Sequence, residues 1–286
     1  MKPALLAGKD VFTEWPLARN LADAEEFATL AKQKHVRTLV GLQARQSPAI
    51  IKAKQLVEQG KIGKVLNTQM YGHGVGWGAV CPDFMLYSLD KDSGATLISI
   101  PFGHAVDALC FVLGEVESLN AVTKNTLPEV MLVDHQFQPI KTVPKTADDW
   151  ISMTGTLVSG GGVSVTYGGD FSRTGRNFYW EINGTEGSLV LTGAVGHVQT
   201  CEPTVELIDR DGKRETIELE KSTVTRNEPY IHPGDLAFNV GRAWDAWADE
   251  TATAEKGPSF EDALVRMKML EAIYRSAQHG TRQSYL

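Results

Sequence analysis

The chain has 286 residues, 42% of them hydrophobic and 22% charged, with a formal charge of −7, which is enough to bury a sizeable core as one large domain or two modest ones. No run of Lys and Arg of the kind that neutralises phosphates occurs, which argues against a nucleic-acid groove, and no apolar stretch approaches the ~20 residues of a membrane-spanning helix. Three widely separated cysteines, Cys81, Cys110 and Cys201, fit neither a disulfide framework nor a metal-ligand spacing, so the expected compartment is the cytoplasm.

Near the start, the apolar patch Ala4 to Ala7 is cut short by Lys9 and Asp10, and it is too brief for a signal peptide. Strand and helix signals then alternate: DVFTEW, a helix from Asn20 to about Lys34, RTLVGL, and a helix from Ser47 to Gln59. The first helix has Asn20 as its N-cap, with Leu21, Ala24, Ala28 and Ala31 on one face. The second has Ser47 as N-cap, Pro48 at its first position and Gly60 just past its end.

From Lys64 onward longer strands appear: VLNTQMYG, ISMTGTLV, GVSVTYGGD, NFYWEING, SLVLTG, TVELID and RETIELE. They are punctuated by Gly160 to Gly162, Asn183-Gly184 and Asp211-Gly212, the last a hairpin signal. A helical pattern ending near Gly114 is inserted among them, and two more helices follow, around Leu236 to Asp249 and Phe260 to Gln278, with Gly280 as a C-terminal cap. The expected fold is α/β, α+β overall. An incomplete doubly wound parallel layer over residues 1–63 leads into a large, mainly antiparallel open sheet with helices on one face over residues 64–286.

Several short motifs carry a resemblance across nearly the whole chain: Glu14-Trp15-Pro16-Leu17 after Gly8-Lys9-Asp10-Val11-Phe12; Gly41-Leu42-Gln43-Ala44-Arg45 and Pro48; Gly60-Lys61-Ile62-Gly63; Gly103-His104-Ala105-Val106-Asp107; Asn183 to Gly187; and Ser259 to Ala263. Together they resemble the glucose-fructose oxidoreductase and inositol dehydrogenase family. The resemblance implies that a lysine normally stands where Trp15 is, and that an Asp or Asn normally stands four residues before the histidine, where this chain has Ile100. Both departures look like the branch containing the fungal galactose-pathway repressor. Family membership implies NAD(P), but a dinucleotide needs a strand, a glycine-rich turn and a helix N-terminus, and no such fingerprint precedes Lys9. The expectation is therefore an N-terminally truncated member with no cofactor.

His104 is a candidate general acid or base, since an ordinary imidazole titrates near pH 6.5; the bland alternative is a helix-start histidine bonded to backbone. Asp107, one turn later, either orients it or caps the same turn. The glycine-rich stretch Gly72 to Gly78 offers His73 as a second imidazole, with Tyr71 and Trp77 as an aromatic wall. Trp15, Arg45, Tyr167 and Asp170 complete the expected substrate pocket, with no metal. Lys145, Arg173 and Arg176 are weaker candidates for an anion, because such charges are usually solvated. The sequence points to an enzyme of oxidoreductase ancestry in fungal secondary metabolism, acting on a small apolar or aromatic molecule by non-redox acid–base chemistry. A regulator resembling the repressor and an NAD(P)-dependent oxidoreductase are the alternatives. The resemblance further implies a homodimer or homotetramer through the large sheet.

Overall fold

The structure is a computed structural model, and it describes residues 1–219, 235–248 and 257–286. Among them no helix is long and apolar enough to cross a membrane.

The N-terminal layer is a small parallel unit. A short helix α1 (Lys2–Leu6) leads to β1 (Val11–Glu14), then α2 (Leu21–Lys34), then β2 (Thr38–Gly41). The two strands pair in parallel, from Val11 beside Thr38 to Glu14 beside Gly41. Asn20 caps α2 by accepting the Asp23 amide at 2.9 Å, satisfying one of the orphan donors of the first turn. Lys32 and Lys34 lie in the last turn, favourably placed against the negative end of the helix dipole. Ala24, Ala28 and Ala31 are its buried stripe. After β2 a 3₁₀ turn over Gln43–Gln46 runs into α3 (Pro48–Glu58), with Pro48 at the first position as expected.

The larger part is an eight-stranded sheet in the order β13-β12-β11-β10-β3-β9-β8-β5, built from β3 (Val65–Gly74), β5 (Val116–Lys124), β8 (Trp150–Leu157), β9 (Gly162–Gly169), β10 (Phe178–Gly184), β11 (Gly187–Gly193), β12 (Thr204–Asp209) and β13 (Arg214–Thr216). Every pairing is antiparallel except β3 with β9 at the centre. A second sheet of three strands, β4 (Val80–Pro82), β6 (Glu129–Val133) and β7 (Pro139–Pro144), buries its own small core around Cys81, Val130 and Leu132. The sequence reading missed β5 and this second sheet. Its strands β4 and β7 are short or nearly all exposed, so they carry little of the alternation that betrays a half-buried strand.

Three helices remain. α4 (Gly103–Leu113) follows a π-type turn over Ile98–Phe102 that contains Pro101; proline lacks the amide that would continue the α ladder. Its first eight residues are all buried, and the helix packs on α3 and the 43–46 turn. α5 (Phe238–Ala248) packs on the 43–46 turn and β2, with Trp244 4.5 Å from the Phe12 ring. α6 (Phe260–His279) opens with a Ser259/Asp262 capping box and closes on Gly280 at φ 64°. It packs on α2 and β2 near its start and on β5 further along. The Val40 amide donates to Pro258 O at 2.8 Å, the Phe260 amide to Thr38 Oγ1 at 3.0 Å and the Ala121 amide to Ser276 Oγ at 2.9 Å. One helix therefore fastens the N-terminal layer to the sheet. Glu220 and Asp249, the last residues of one expected strand and one expected helix, lie outside the described residues.

Candidate functional site

The site lies where the C-terminal end of β1 meets the start of α4 on the helix-bearing face of the large sheet. Trp15, joined to Pro16 by a cis peptide bond, leaves β1 and turns inward until it is 5% exposed. Its Nε1 donates to Ser99 O at 2.6 Å. Gly103 makes room for the indole: a Cβ there would come within 2.7 Å of Trp15 Nε1, closer than real Cβ contacts. Tryptophan at 15 and glycine at 103 are thus one steric unit.

Next to Gly103 stands His104, 4% exposed, with Nδ1 buried and without a hydrogen-bond partner. Burial lowers its pKa to about 3; the Asp107 charge pulls the other way, and His197 adds to the lowering. The ring is neutral at any ordinary pH. Tyr167 on β9 is fully buried, edge-on to Phe102 with centroids 6.1 Å apart, and donates its hydroxyl to Gly196 O at 2.8 Å. Burial pushes that phenol well up, so it does not ionise. Trp15 and Tyr167, from distant parts of the sequence, thus pack against Gly103 and Phe102, the two residues that precede His104.

The structure does not bring the other expected residues to the same place. Asp107 makes no hydrogen bond to His104. Its carboxylate takes a two-pronged bond from Arg45 at 2.9 and 2.7 Å and an ion pair with Arg266 at 3.4 Å. Burial works against its ionisation, yet Arg45 and then Arg266 outweigh that and hold the carboxyl below the usual range. Arg266 in turn pairs with Glu115 at 2.8 Å, which accepts the Tyr285 hydroxyl at 2.7 Å. Arg45 and Asp107 are members of a buried charge network joining the 43–46 turn, α4, α6 and β5, and not a polar wall for a ligand.

His73 is displaced from the expected place for a reason of register. Gly72 and Gly74 point to the inner face, where added Cβ atoms would meet Tyr167, Leu97 and Pro101, so alternation sends Tyr71 and His73 to the outer face. There His73 Nε2 lies 2.7 Å from the Tyr71 hydroxyl, and Nδ1 lies 3.1 Å from the carbonyls of Gly169 and Asp170. Trp77 belongs to the turn beyond β3, and Asp170, just past the end of β9, faces that turn: the Ala79 amide reaches Asp170 Oδ2 at 3.5 Å, and Asp170 itself takes a positive φ of 65°. Lys145 is not a free anion receptor either, because it is buried against Asp149 at 2.5 Å. Arg173 and Arg176 lie exposed between β9 and β10, with Arg176 over the Tyr179 ring.

The imidazole that the sequence reading missed is His197. It sits on the stretch between β11 and β12, with Nε2 3.0 Å from Val75 O, and its charge is felt at His104. Its own basicity is lowered by burial, partly offset by the Val75 carbonyl.

Among the described residues no group of three or more His, Cys, Asp or Glu side chains is arranged to hold a metal. A dinucleotide pyrophosphate needs backbone amides at the start of a helix. The glycines at 72–78 lie in β3 and the turn after it, Gly160 to Gly162 form the β8–β9 connection, and α2 opens with Asp23 in its first turn, where a second negative charge is disfavoured. Among the described residues, neither glycine-rich stretch opens a helix.

The sequence profile of the family described as "Gal80p, C-terminal domain" matches residues 48–193. The dehydrogenase AclE of Aspergillus oryzae is 31% identical over 293 aligned positions, covering 99% of this chain and 73% of that protein. The galactose/lactose metabolism regulatory protein GAL80 of Saccharomyces cerevisiae is 34% identical over 197 positions, which cover 67% of this chain and 45% of that protein. A crystal structure of a super-repressor form of that Gal80p superposes with a TM-score of 0.84 at 27% identity, over 96% of this chain and 72% of that one. An NAD-binding oxidoreductase from Klebsiella pneumoniae shares the fold, with a TM-score of 0.80 at 20% identity over 99% of this chain and 75% of that one. By the match of this family profile over more than half of its length, this chain belongs to the glucose-fructose oxidoreductase and inositol dehydrogenase family, in the branch defined by the Gal80p C-terminal domain.

Proposed function

We propose that this chain recognises its ligand for, and carries the acid–base chemistry of, an enzyme of fungal small-molecule metabolism, related by descent to oxidoreductases. The ligand is an apolar or aromatic carbonyl compound, and the reaction is a proton transfer such as isomerisation or cyclisation. The observation that carries this reading is the pairing of Trp15, anchored to Ser99 O at 2.6 Å, with a neutral His104 whose Nδ1 has no partner. At that strand end the residue is Trp15 and not a lysine whose ammonium group could assist hydride transfer. A neutral imidazole can instead polarise a carbonyl and relay a proton without first losing a charge. The likeness to AclE supports a role in small-molecule metabolism.

The test is deuterium exchange at the carbon beside the carbonyl, followed by NMR in D₂O over a panel of aromatic ketones and aldehydes, with and without nicotinamide cofactors. Exchange without cofactor is expected, falling about 100-fold or more in His104→Ala. Reduction of NAD(P) with no cofactor-independent exchange would overturn this reading in favour of a dehydrogenase.

A regulatory reading is favoured by one observation, the close fold likeness to Gal80p. In that case a small molecule would bind with no turnover, and its binding would alter capture of a protein partner. We also propose that the chain pairs with a copy of itself through the outer face of the large sheet, where Gln69, Thr154 and Thr166 present a flat polar surface. Light scattering of the purified chain tests this, and a monomer at micromolar concentration counts against it.

A further inference from the structure

At the opposite end of the parallel layer from Trp15, where β2 begins, lies a cavity of about 650 Å³, a size that takes one small organic molecule. Its walls are the last turns of α2, the final turn of α5 and the entry to α6. Ala28, Ala31, Val36 and Phe260 give it an apolar floor.

One side of the cavity is rich in hydrogen-bond donors. The Arg37 guanidinium lies over the Trp247 ring, 5.2 Å from its centroid. Arg37 donates to Asp10 through Nε at 2.9 Å and through its amide at 2.8 Å, while neither of its terminal nitrogens has a hydrogen-bond partner among the described residues. Trp247 Nε1 is buried with no acceptor. The acceptors close by are already engaged: Glu261 pairs with Lys32 at 3.6 Å, Ser259 and Asp262 close the capping box of α6, and Thr38 Oγ1 accepts the Phe260 amide at 3.0 Å.

A molecule that suits these walls is flat enough to lie against an indole, apolar over most of its surface, and carries acceptors at one end. A guanidinium with both terminal nitrogens uncommitted matches a carboxylate in two parallel bonds, and an aromatic ring gains from the indole beside it. We infer that this cavity is a binding site for a planar aromatic carboxylate, with the ring on the apolar floor against Trp247 and the carboxylate at Arg37. The cavity and the Trp15–His104 pair lie at opposite ends of β1 and β2 and share no residue, so a molecule held here is an accessory ligand and not the compound whose proton is transferred.

The test is titration of the whole chain with 2-naphthoate, and with 2-naphthalenemethanol as its uncharged counterpart, followed by tryptophan fluorescence and by intermolecular NOEs. Naphthoate is expected to bind saturably, with NOEs from its ring protons to the methyl groups of Ala28, Ala31 and Val36, and the alcohol to bind about tenfold or more weakly. Arg37→Gln should weaken naphthoate by about the same factor and leave the alcohol unchanged. The Asp10 pair that this variant also breaks is partly exposed, 54% and 38% on its two sides, so the urea midpoint should barely move. Trp247→Leu should weaken both probes. No saturable binding, NOEs to other methyl groups, equal affinity for acid and alcohol, or indifference of naphthoate to Arg37→Gln would overturn the inference. Should a variant not fold, the wild-type NOEs and the comparison of acid with alcohol decide alone. Neither readout involves turnover, so failure here is distinct from failure of the exchange test above.

Discussion

His73 and His104 are two imidazoles on opposite faces of one sheet, and their surroundings differ at every point that matters for chemistry. His73 has both ring nitrogens in contact with partners, one at the Tyr71 hydroxyl and one at backbone carbonyls; it is a fastening between β3 and the end of β9. His104 is buried, stripped of basicity to about 3 and left with a bare Nδ1. An unmade hydrogen bond in a buried place costs stability, and His104 Nδ1 is one of eight such side-chain atoms among the described residues. The comparison teaches that residue type selects neither ring, whereas the state of its lone pairs does.

Removing what holds the inner face together should have the largest effect. Asp107→Ala leaves Arg45 and Arg266 without their shared carboxylate in a buried place, and urea unfolding should show a loss of about 3–5 kcal/mol. Acidification comes next. A histidine whose folded pKa lies below its unfolded value near 6.5 binds its proton first in the unfolded chain. Stability from His104 is therefore intact above pH 6.5 and declines as the pH falls from there toward about 3, by a few kcal/mol in all. His104→Gln should flatten that limb of a stability–pH curve, and an unchanged curve would show that the ring is not buried neutral.

Glu202 should act with the opposite sign. Burial raises its carboxyl to about 7, although the Ala49 amide pulls it down, so its contribution is complete below its unfolded value near 4.5 and is lost as pH rises through about 7. Glu202→Gln should remove that alkaline loss and leave the acid limb in place. A smaller effect is expected from Gly103→Ala, which forces the new methyl against the Trp15 indole. Overpacking of this kind costs about 1–3 kcal/mol, and Trp15→Leu in the same chain should recover most of it in a double-mutant cycle. On the outer face, His73→Ala should cost only about 1 kcal/mol and leave turnover unchanged.

Much of the architecture was legible because it is written locally. The Ser47-Pro48 start of α3 and the Ser259 start and Gly280 stop of α6 are cap chemistry, which depends on residues within one turn. β5, β6 and β7 were not legible; β7 is almost wholly exposed, and β6 is held on one side by β4, far back in the chain. In the site, Trp15 and His104 came from family resemblance, and Trp15 packs against Gly103, the residue before His104. His73 could have been placed correctly from sequence: Thr68, Met70 and Gly72 alternate with Asn67, Gln69 and Tyr71, and the period of two puts His73 with the polar set. His197 had no such signal. Its place is set by Val75, 122 residues earlier in the chain, a contact that only the fold creates.

The contact between β2 and the entry to α6 also has a consequence for how the protein is made. Thr38 and Val40 leave the ribosome well before their partners Phe260 and Pro258, which come 222 and 218 residues later. At about 5–20 residues per second, the nascent N-terminal layer waits on the order of ten to forty seconds for its closing helix. During that interval the alanine stripe of α2 has no cover from α6, and holding chaperones have their longest opportunity to engage the chain.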